Sequence, residues 1–265
     1  MPSLSDKEFQ GFQQLIFKAA GITMSDAKKP LVSGRLAKRL AQHGLNTYGD
    51  YFKIVTQDSK ERQMAVDLLT TNETFFFREP KHFEFLADAI APEFARQAKL
   101  RLWCGASSTG EEPYTLAMTL AKALGPRKFE ILASDISTRV LATAKKGLYP
   151  VEDAQDIPKP YRNEYCLKGV GSQAGWFTLE PAIRNSIQFD QINLNETLPD
   201  VGMFDVIFLR NVMIYFSADT KREVMARMLS KLRPGGYFVI SHSESLHGVT
   251  SDLQMVKPSI YRKPA

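Results

Sequence analysis

Two adjacent carboxylates, Glu111 and Glu112, follow a turn of small residues, Gly105-Ala106-Ser107-Ser108-Thr109-Gly110. The apolar run Leu100 to Cys104 enters this turn, and Leu116, Ala117 and Leu120 repeat at helical spacing after it. Strand, glycine-bounded turn and helix is the geometry in which an α/β sheet holds a nucleotide-like ligand beyond its strand ends. The turn has neither the Lys-Ser/Thr pair of a P-loop nor the G-x-G-x-x-G spacing of a dinucleotide turn. Two carboxylates in the place of a phosphate site would also repel a phosphate, so the expected ligand is nucleoside-like without a polyphosphate. A second apolar run, Phe129 to Ser134, closes in Asp135. An acid there is placed to accept hydrogen bonds from a ribose, and it also suits the start of the helix at Ser137; one carboxylate can do both.

Two further segments hold polar groups that their surroundings do not explain. In Thr71-Asn72-Glu73-Thr74-Phe75-Phe76-Phe77-Arg78-Glu79-Pro80, three consecutive phenylalanines sit among polar residues. That texture suits an interdomain linker packed over a cavity. Aromatic filler at a domain junction would account for the phenylalanines but not for Asn72, Thr74 and Arg78. The most hydrophobic run, Phe204 to Leu209, leads straight into Arg210-Asn211-Val212-Met213-Ile214-Tyr215-Phe216. No Ser-His-Asp or Cys-His arrangement supplies a protein nucleophile. Cys104 and Cys166 are expected to be buried thiols, and the four histidines show no ligand spacing with them, so no metal site is expected.

The elements that must position these groups fall into two units. Residues 1–70 are expected to be all-helical. Ser5-Asp6-Lys7-Glu8 is a capping box, Phe9, Phe12, Ile16 and Ala19 form a face, and Gly21 ends the first helix. A second helix, about Leu31 to His43, buries Leu36 and Leu40 and carries Arg35, Lys38 and Arg39 on its other face, either as a solvated surface or as a docking face for an acidic helix. Tyr48, Phe52 and Val55 mark a third helix, and Met64, Leu68 and Leu69 a fourth. Residues 71–90 are expected to be the linker and 91–265 an α/β domain. Within it, the prolines and glycines of about 158–185 interrupt the rhythm, and Tyr161 to Leu167 with Trp176 to Leu179 suggest an inserted antiparallel hairpin. Leu253 to Arg262 reads as a last antiparallel strand. The chain lacks both a run of about 18 apolar residues and a secretory leader pattern, which points to a cytoplasmic protein with no membrane insertion. The net charge of +5 is modest and does not demand nucleic acid.

Five motifs in this order, TNETFFFRE (71–79), STGEEPYTLA (108–117), SDIS (134–137), LRNVMIYF (209–216) and HSES (242–245), together resemble the chemotaxis receptor methyltransferase (CheR) family over essentially the whole chain. The resemblance implies a Rossmann-like class I methyltransferase domain of α/β type, with a small inserted antiparallel β-subdomain and a preceding all-α domain. It implies S-adenosylmethionine as cofactor, S-adenosylhomocysteine as product, and glutamates on the cytoplasmic helical bundle of chemoreceptors as substrate, giving γ-glutamyl methyl esters.

Matched position by position, the resemblance places Asn72, Thr74 and Arg78 on the cofactor site, together with one of Glu111 and Glu112, of which Glu111 is favoured because it directly follows Gly110. Asp135 falls at the adenosine sugar, Asn193-Leu194 over the adenine, and Arg210-Asn211 beside the methionine part. Arg78 and Tyr215 are the catalytic candidates, orienting the reacting carboxylate or the cofactor near the sulfur while the phenylalanines exclude water. Arg35, Lys38 and Arg39 match the receptor-facing helix. The glycine-rich turn Gly169 to Gly175 resembles that of members binding a peptide at the receptor C-terminus. Two other readings compete: a methyltransferase of the same fold acting on a nucleic acid or small molecule, and a degenerate, non-catalytic cofactor sensor. The retained polar set Asn72, Arg78, Asp135, Arg210 and Asn211 speaks against the second.

Overall fold

The computed structural model describes residues 2–125 and 128–265. Four helices open the chain: α1 (Asp6–Ala20), α2 (Lys29–Gln42), α3 (Tyr48–Gln57) and α4 (Ser59–Leu69). Their ends follow from local chemistry. Ser5 and Glu8 complete a reciprocal capping box, Thr47 and Asp58 cap α3 and α4, and Gly21 closes α1 at φ +70°. Phe12, Ile16, Leu36, Tyr48, Tyr51 and Val55 pack the core between them. In α4 the inward residues are Ala65, Val66 and Leu69, while Met64 and Leu68 are only half-buried. The face is rotated because Glu61 and Asp67 also point inward, each to a partner described below.

Pro80 leads into α5 (Lys81–Phe85), which continues through one π turn, Leu86–Ile90, into α6 (Ala91–Phe94). The alternating part follows as β1 (Leu100–Gly105), α7 (Glu111–Leu124), β2 (Phe129–Asp135) and α8 (Thr138–Lys146). Next come β3 (Leu148–Pro150), α9 (Lys159–Tyr165), β4 (Cys166–Lys168), β5 (Trp176–Leu179) and α10 (Pro181–Arg184). The chain closes with β6 (Ile187–Gln191), β7 (Phe204–Leu209), α11 (Ala218–Leu229), β8 (Leu232–Val239), β9 (Gln254–Lys257) and β10 (Ile260–Arg262). Seven strands form one sheet in the order β6-β2-β1-β7-β8-β10-β9. The first five run parallel, β10 pairs antiparallel to β8, and β9 pairs antiparallel to β10. Strand order reverses between β1 and β7, so a ligand crevice is expected beyond Gly105 and Leu209, which pair in register.

The inserted subdomain is larger than a hairpin. Leu148–Pro150 joins as a third strand, giving the order β3-β5-β4, all antiparallel. Tyr161 to Tyr165, expected to be strand, is helical in α9. Pro160 in its first turn favours helix there, and Tyr161 and Tyr165, one turn apart, lie ring to ring. The tail is likewise two strands, folded back at Pro258-Ser259.

Contacts between the units are specific. Asp67 of α4, itself 1% exposed, accepts hydrogen bonds from Thr138 N (3.0 Å), Thr138 Oγ1 (2.7 Å) and Arg139 N (3.3 Å), and so caps the start of α8 from the other domain. Ile22 bridges Phe216, and Thr23 N donates to Tyr215 O.

Candidate active site

A cavity of about 600 Å³ opens at the reversal point between the two units. Its floor is the β1–α7 turn. Ser107 N donates to Ser134 O and Gly110 N to Ser107 O, which curls the turn back over the end of β2. Gly110 sits at φ +103°, and a Cβ there would lie 2.7 Å from Tyr149 Oη, so the position excludes any side chain. Tyr149 Oη itself donates to Thr109 O.

The two adjacent acids part company at this turn. Glu112 lines the cavity; Glu111, the favoured candidate, does not. Successive helical residues point about 100° apart, and Glu111 turns under the β-subdomain, where Thr109 Oγ1 donates to it at 2.7 Å. Burial pushes its carboxyl up to about 7. Asp135 lies on the cavity wall as expected and is 6% exposed. Its two oxygens accept from Ser108 N and Ser137 N, both at 2.9 Å. Burial raises its pKa although these amides oppose the shift. A carboxylate has about four lone-pair positions, so the two amides leave acceptor capacity for a pair of hydroxyls.

Arg210 emerges from the end of β7 with its side chain fully buried, paired with Glu112 on the cavity side and with Glu79 behind. Its Nη2 also donates to Arg78 O at 2.6 Å. The loop after it is bracketed by Glu244, whose carboxylate accepts from Asn211 N, Met213 N and Ser241 N. The described non-glycine residues at positive φ are Phe77, Glu79, Ala106, Ser108, Asn211 and Ser259. Ala106, Ser108 and Asn211 line the cavity, and the others belong to the linker or to the layer behind Arg210. Such conformations cost about 1–3 kcal/mol each and persist where surrounding structure enforces them.

Asn72, Thr74, Arg78, Asn193, Leu194, Asn211 and Tyr215 all border the same cavity. Asn72 is held by its own neighbourhood: Nδ2 donates to Thr70 Oγ1 and its carbonyl accepts from Ser108 Oγ. Asn193 Nδ2 donates to Ala19 O at 2.7 Å, tying the loop that carries Leu194 to the end of α1. Arg78 is half-buried, leans over the Phe75 ring and donates to Glu73 O, and among the described residues it has no carboxylate partner. The phenylalanines do not line the cavity. Phe76 packs on Tyr149 and Phe177 of the β-subdomain, Phe77 on Phe83 and Tyr161, and Phe75 is 48% exposed. Phe76 and Phe77 are junction packing and Phe75 faces solvent, so none of them has the water-excluding role expected.

The basic face of α2 is also redistributed. Arg35 donates to Leu69 O and Thr70 O, tying α2 to the end of α4. Arg39 pairs with Glu61, which Tyr51 also contacts, and Arg39 first of all holds the Glu61 carboxyl down at about 2. Of the three expected docking cations only Lys38 is exposed; Lys28, at the cavity mouth, joins it.

The wall suits a cationic nucleoside ligand. Asp135 and Glu112 supply acids to it, and two of its buried polar atoms, Ser107 Oγ and Arg210 Nε, lack a partner among the described residues. Comparison with known proteins agrees. The family "CheR methyltransferase, SAM binding domain" matches residues 72–262 and "CheR methyltransferase, all-alpha domain" matches residues 7–70. The chain belongs to the CheR methyltransferase family. It is 39% identical to chemotaxis protein methyltransferase 2 of Pseudomonas aeruginosa over 96% of this chain and 92% of that one. Identity is 37% to the chemotaxis protein methyltransferase of Salmonella typhimurium (98% and 91% covered) and 40% to that of Escherichia coli (92% and 86%). It is thus an S-adenosylmethionine-dependent methyltransferase.

Several residues of this CheR site escaped sequence reading. Glu79 and Glu244 are reached only through the fold, although both stand inside quoted motifs. Ser107 and Ser108 stand in the turn of small residues, where nothing local marks their hydroxyls as part of the site. The clasp Ile22-Thr23 had no signal at all.

Proposed function

We propose that the protein transfers the methyl group of S-adenosylmethionine to the γ-carboxylate of glutamates on the cytoplasmic helical bundle of a chemoreceptor, in the cytoplasm. The observation that carries this reading is Arg78, a cation that borders the cavity and has no acid partner among the described residues. A substrate carboxylate is the partner it lacks.

The cofactor supplies an electrophilic methyl on a sulfonium. Asp135 would bind the ribose hydroxyls, and Ser107 Oγ and the Arg210–Glu112 wall would surround the methionine part. Asn193-Leu194 would cover the base. A glutamate carboxylate, pKa about 4.3, is already ionised at neutral pH and needs no general base. Charge is lost as the methyl moves, so strong stabilisation of the oxyanion would hold the nucleophile back. The gain comes from in-line positioning, worth up to roughly 7–11 kcal/mol, which Arg78 and Tyr215 supply from the linker and from the loop after β7. Exposed Lys28 and Lys38 would steer the acidic receptor surface.

We also assign the β-subdomain a receptor C-terminal peptide. β4 is an open edge, with Leu167, Val170 and Trp176 exposed around it, which suits addition of an extended peptide as a further strand.

Incubation with methyl-labelled cofactor and a receptor cytoplasmic fragment tests the main reading. Label on the receptor that alkali releases as methanol supports it; alkali-stable label, or label on RNA alone, contradicts it.

A further inference from the structure

Behind Arg210 lies a polar array that the cofactor and substrate readings leave unused; His82 and Ser259 in it are buried, Glu79 is half-buried and His242 is exposed. Glu79 Oε2 stands 3.1 Å from Arg210 Nη2 and 3.4 Å from His82 Nδ1, and it accepts from His242 N at 3.2 Å. His82 is 1% exposed, and its Nε2 lies 2.6 Å from Ser259 Oγ, which is 3.0 Å from His242 Nδ1. A glutamate and two histidines are a ligand set for zinc. Here, though, the carboxylate oxygen that faces His82 already faces the Arg210 guanidinium, so a cation occupies the place a metal would take. Orientation of Arg210 is the role left to it.

The proton count decides how the array works. Ser259 has one proton, and Pro258 O, His82 Nε2 and His242 Nδ1 are all within its reach. If His82 carried its proton on Nε2, its bare Nδ1 would face the Glu79 carboxylate in a buried place with no proton between two acceptors. With the proton on Nδ1, His82 turns it toward Glu79 Oε2 at 3.4 Å, Nε2 accepts from Ser259 Oγ, and Ser259 Oγ accepts from His242 Nδ1. That assignment leaves no two bare acceptors facing each other, and it turns the Nδ1 proton toward a carboxylate oxygen that stands 3.4 Å away without an aligned hydrogen bond. Burial and then the Arg210 charge keep His82 neutral, with its pKa lowered to about 3, despite the opposing pull of Glu79.

We propose that His82, set in its Nδ1–H tautomer by Ser259, is a positioning residue for methyl transfer: it holds Glu79 against Arg210 and so fixes the guanidinium at the cavity wall. The inference rests on the reading that Arg210 borders the reacting end of the cofactor. Ser259 is held for this task at φ +63°, a conformation that favours glycine.

Three variants and one spectrum test it. In His82→Asn the amide nitrogen replaces the Nδ1 donor, and kcat stays within about threefold of the parent. In His82→Gln the amide reaches only the Ser259 side, and Ser259→Gly removes the hydroxyl; each lowers kcat about tenfold or more while S-adenosylhomocysteine affinity changes less. Ser259→Gly melts no lower than the parent, because glycine relieves the strained φ, so its loss of turnover is not a loss of fold. Nitrogen-15 spectra of the parent show His82 neutral with the proton on Nδ1 from about pH 6 to 8. Parent-like kcat in Ser259→Gly, equal damage in Asn and Gln, or a proton on Nε2 overturns the proposal. A parent enzyme that methylates no receptor fragment defeats the substrate reading instead, and the spectrum still tests the tautomer.

Discussion

Glu112 and Arg210 are bonded to each other across the cavity wall, and the guanidinium has no exposure of its own. Arg210 is thus held between two carboxylates, with Glu112 as the only one of the pair turned toward the ligand. Glu112→Gln keeps the shape and removes the charge. It should weaken S-adenosylhomocysteine binding about tenfold, whereas Glu111→Gln should leave it within about twofold. Titration calorimetry on both variants separates the neighbours, and the reverse order of effects would restore Glu111 to the site.

Glu111 makes a pH prediction of its own. Its pKa rises from an ordinary 4.5 unfolded to about 7 folded, mainly through burial. Between those values the folded state holds more protons than the unfolded one, so this group's contribution is full below about pH 4.5 and is lost as pH rises through about 7. Glu111→Gln should flatten that part of the stability curve and stabilise the protein at pH 8 by up to about 3 kcal/mol. Urea unfolding of parent and variant at several pH values measures it; parallel curves would contradict it.

Much of the helical unit and the sheet was legible because it is written in short-range signals. Ser5 and Glu8, Gly21, and the runs ending in Gly105 and Asp135 each determine an end of an element locally. What was not legible depended on azimuth or on distant partners. Spacing puts Arg35, Lys38 and Arg39 on neighbouring sites, but only the fold shows Arg35 reaching Leu69 O and Thr70 O and Arg39 reaching Glu61. The polar residues of the linker did mark the cavity, while Phe76 and Phe77 turned away to fill the junction. His82 and Ser259 are 177 residues apart, and nothing in either neighbourhood announces the other.

Asp67 ties the helical unit to α8. Asp67→Ala strips the cap from Thr138 and Arg139 and should cost about 2 kcal/mol. Denaturant unfolding checks this, and a loss below about 0.5 kcal/mol would mean that water replaces the cap.

Phe76 is core and not cavity lining. Phe76→Ala should cost about 3–5 kcal/mol of stability; Phe76→Leu, which keeps most of the volume, should leave cofactor affinity unchanged by calorimetry. A large affinity loss in the leucine variant would return the phenylalanines to the site.

Lys28→Glu and Lys38→Glu should slow receptor methylation at low salt, with the difference shrinking as ionic strength rises, because exposed charges are screened. Arg39→Glu should instead lower the melting temperature, since it places two carboxylates together inside the helical unit. Equal rates for the lysine variants and the parent at low salt would remove the docking assignment.

The central claim is esterification of receptor glutamates, and peptide mapping by mass spectrometry tests it most directly. A receptor cytoplasmic fragment is incubated with enzyme and S-adenosylmethionine, alongside a copy with the candidate glutamates changed to glutamine. The prediction is a one-methyl mass increase on glutamate side chains of the first fragment, absent from the second and strongly reduced with the Arg78→Ala enzyme. Equal methylation of both fragments, or methylation on residues other than glutamate, would contradict it.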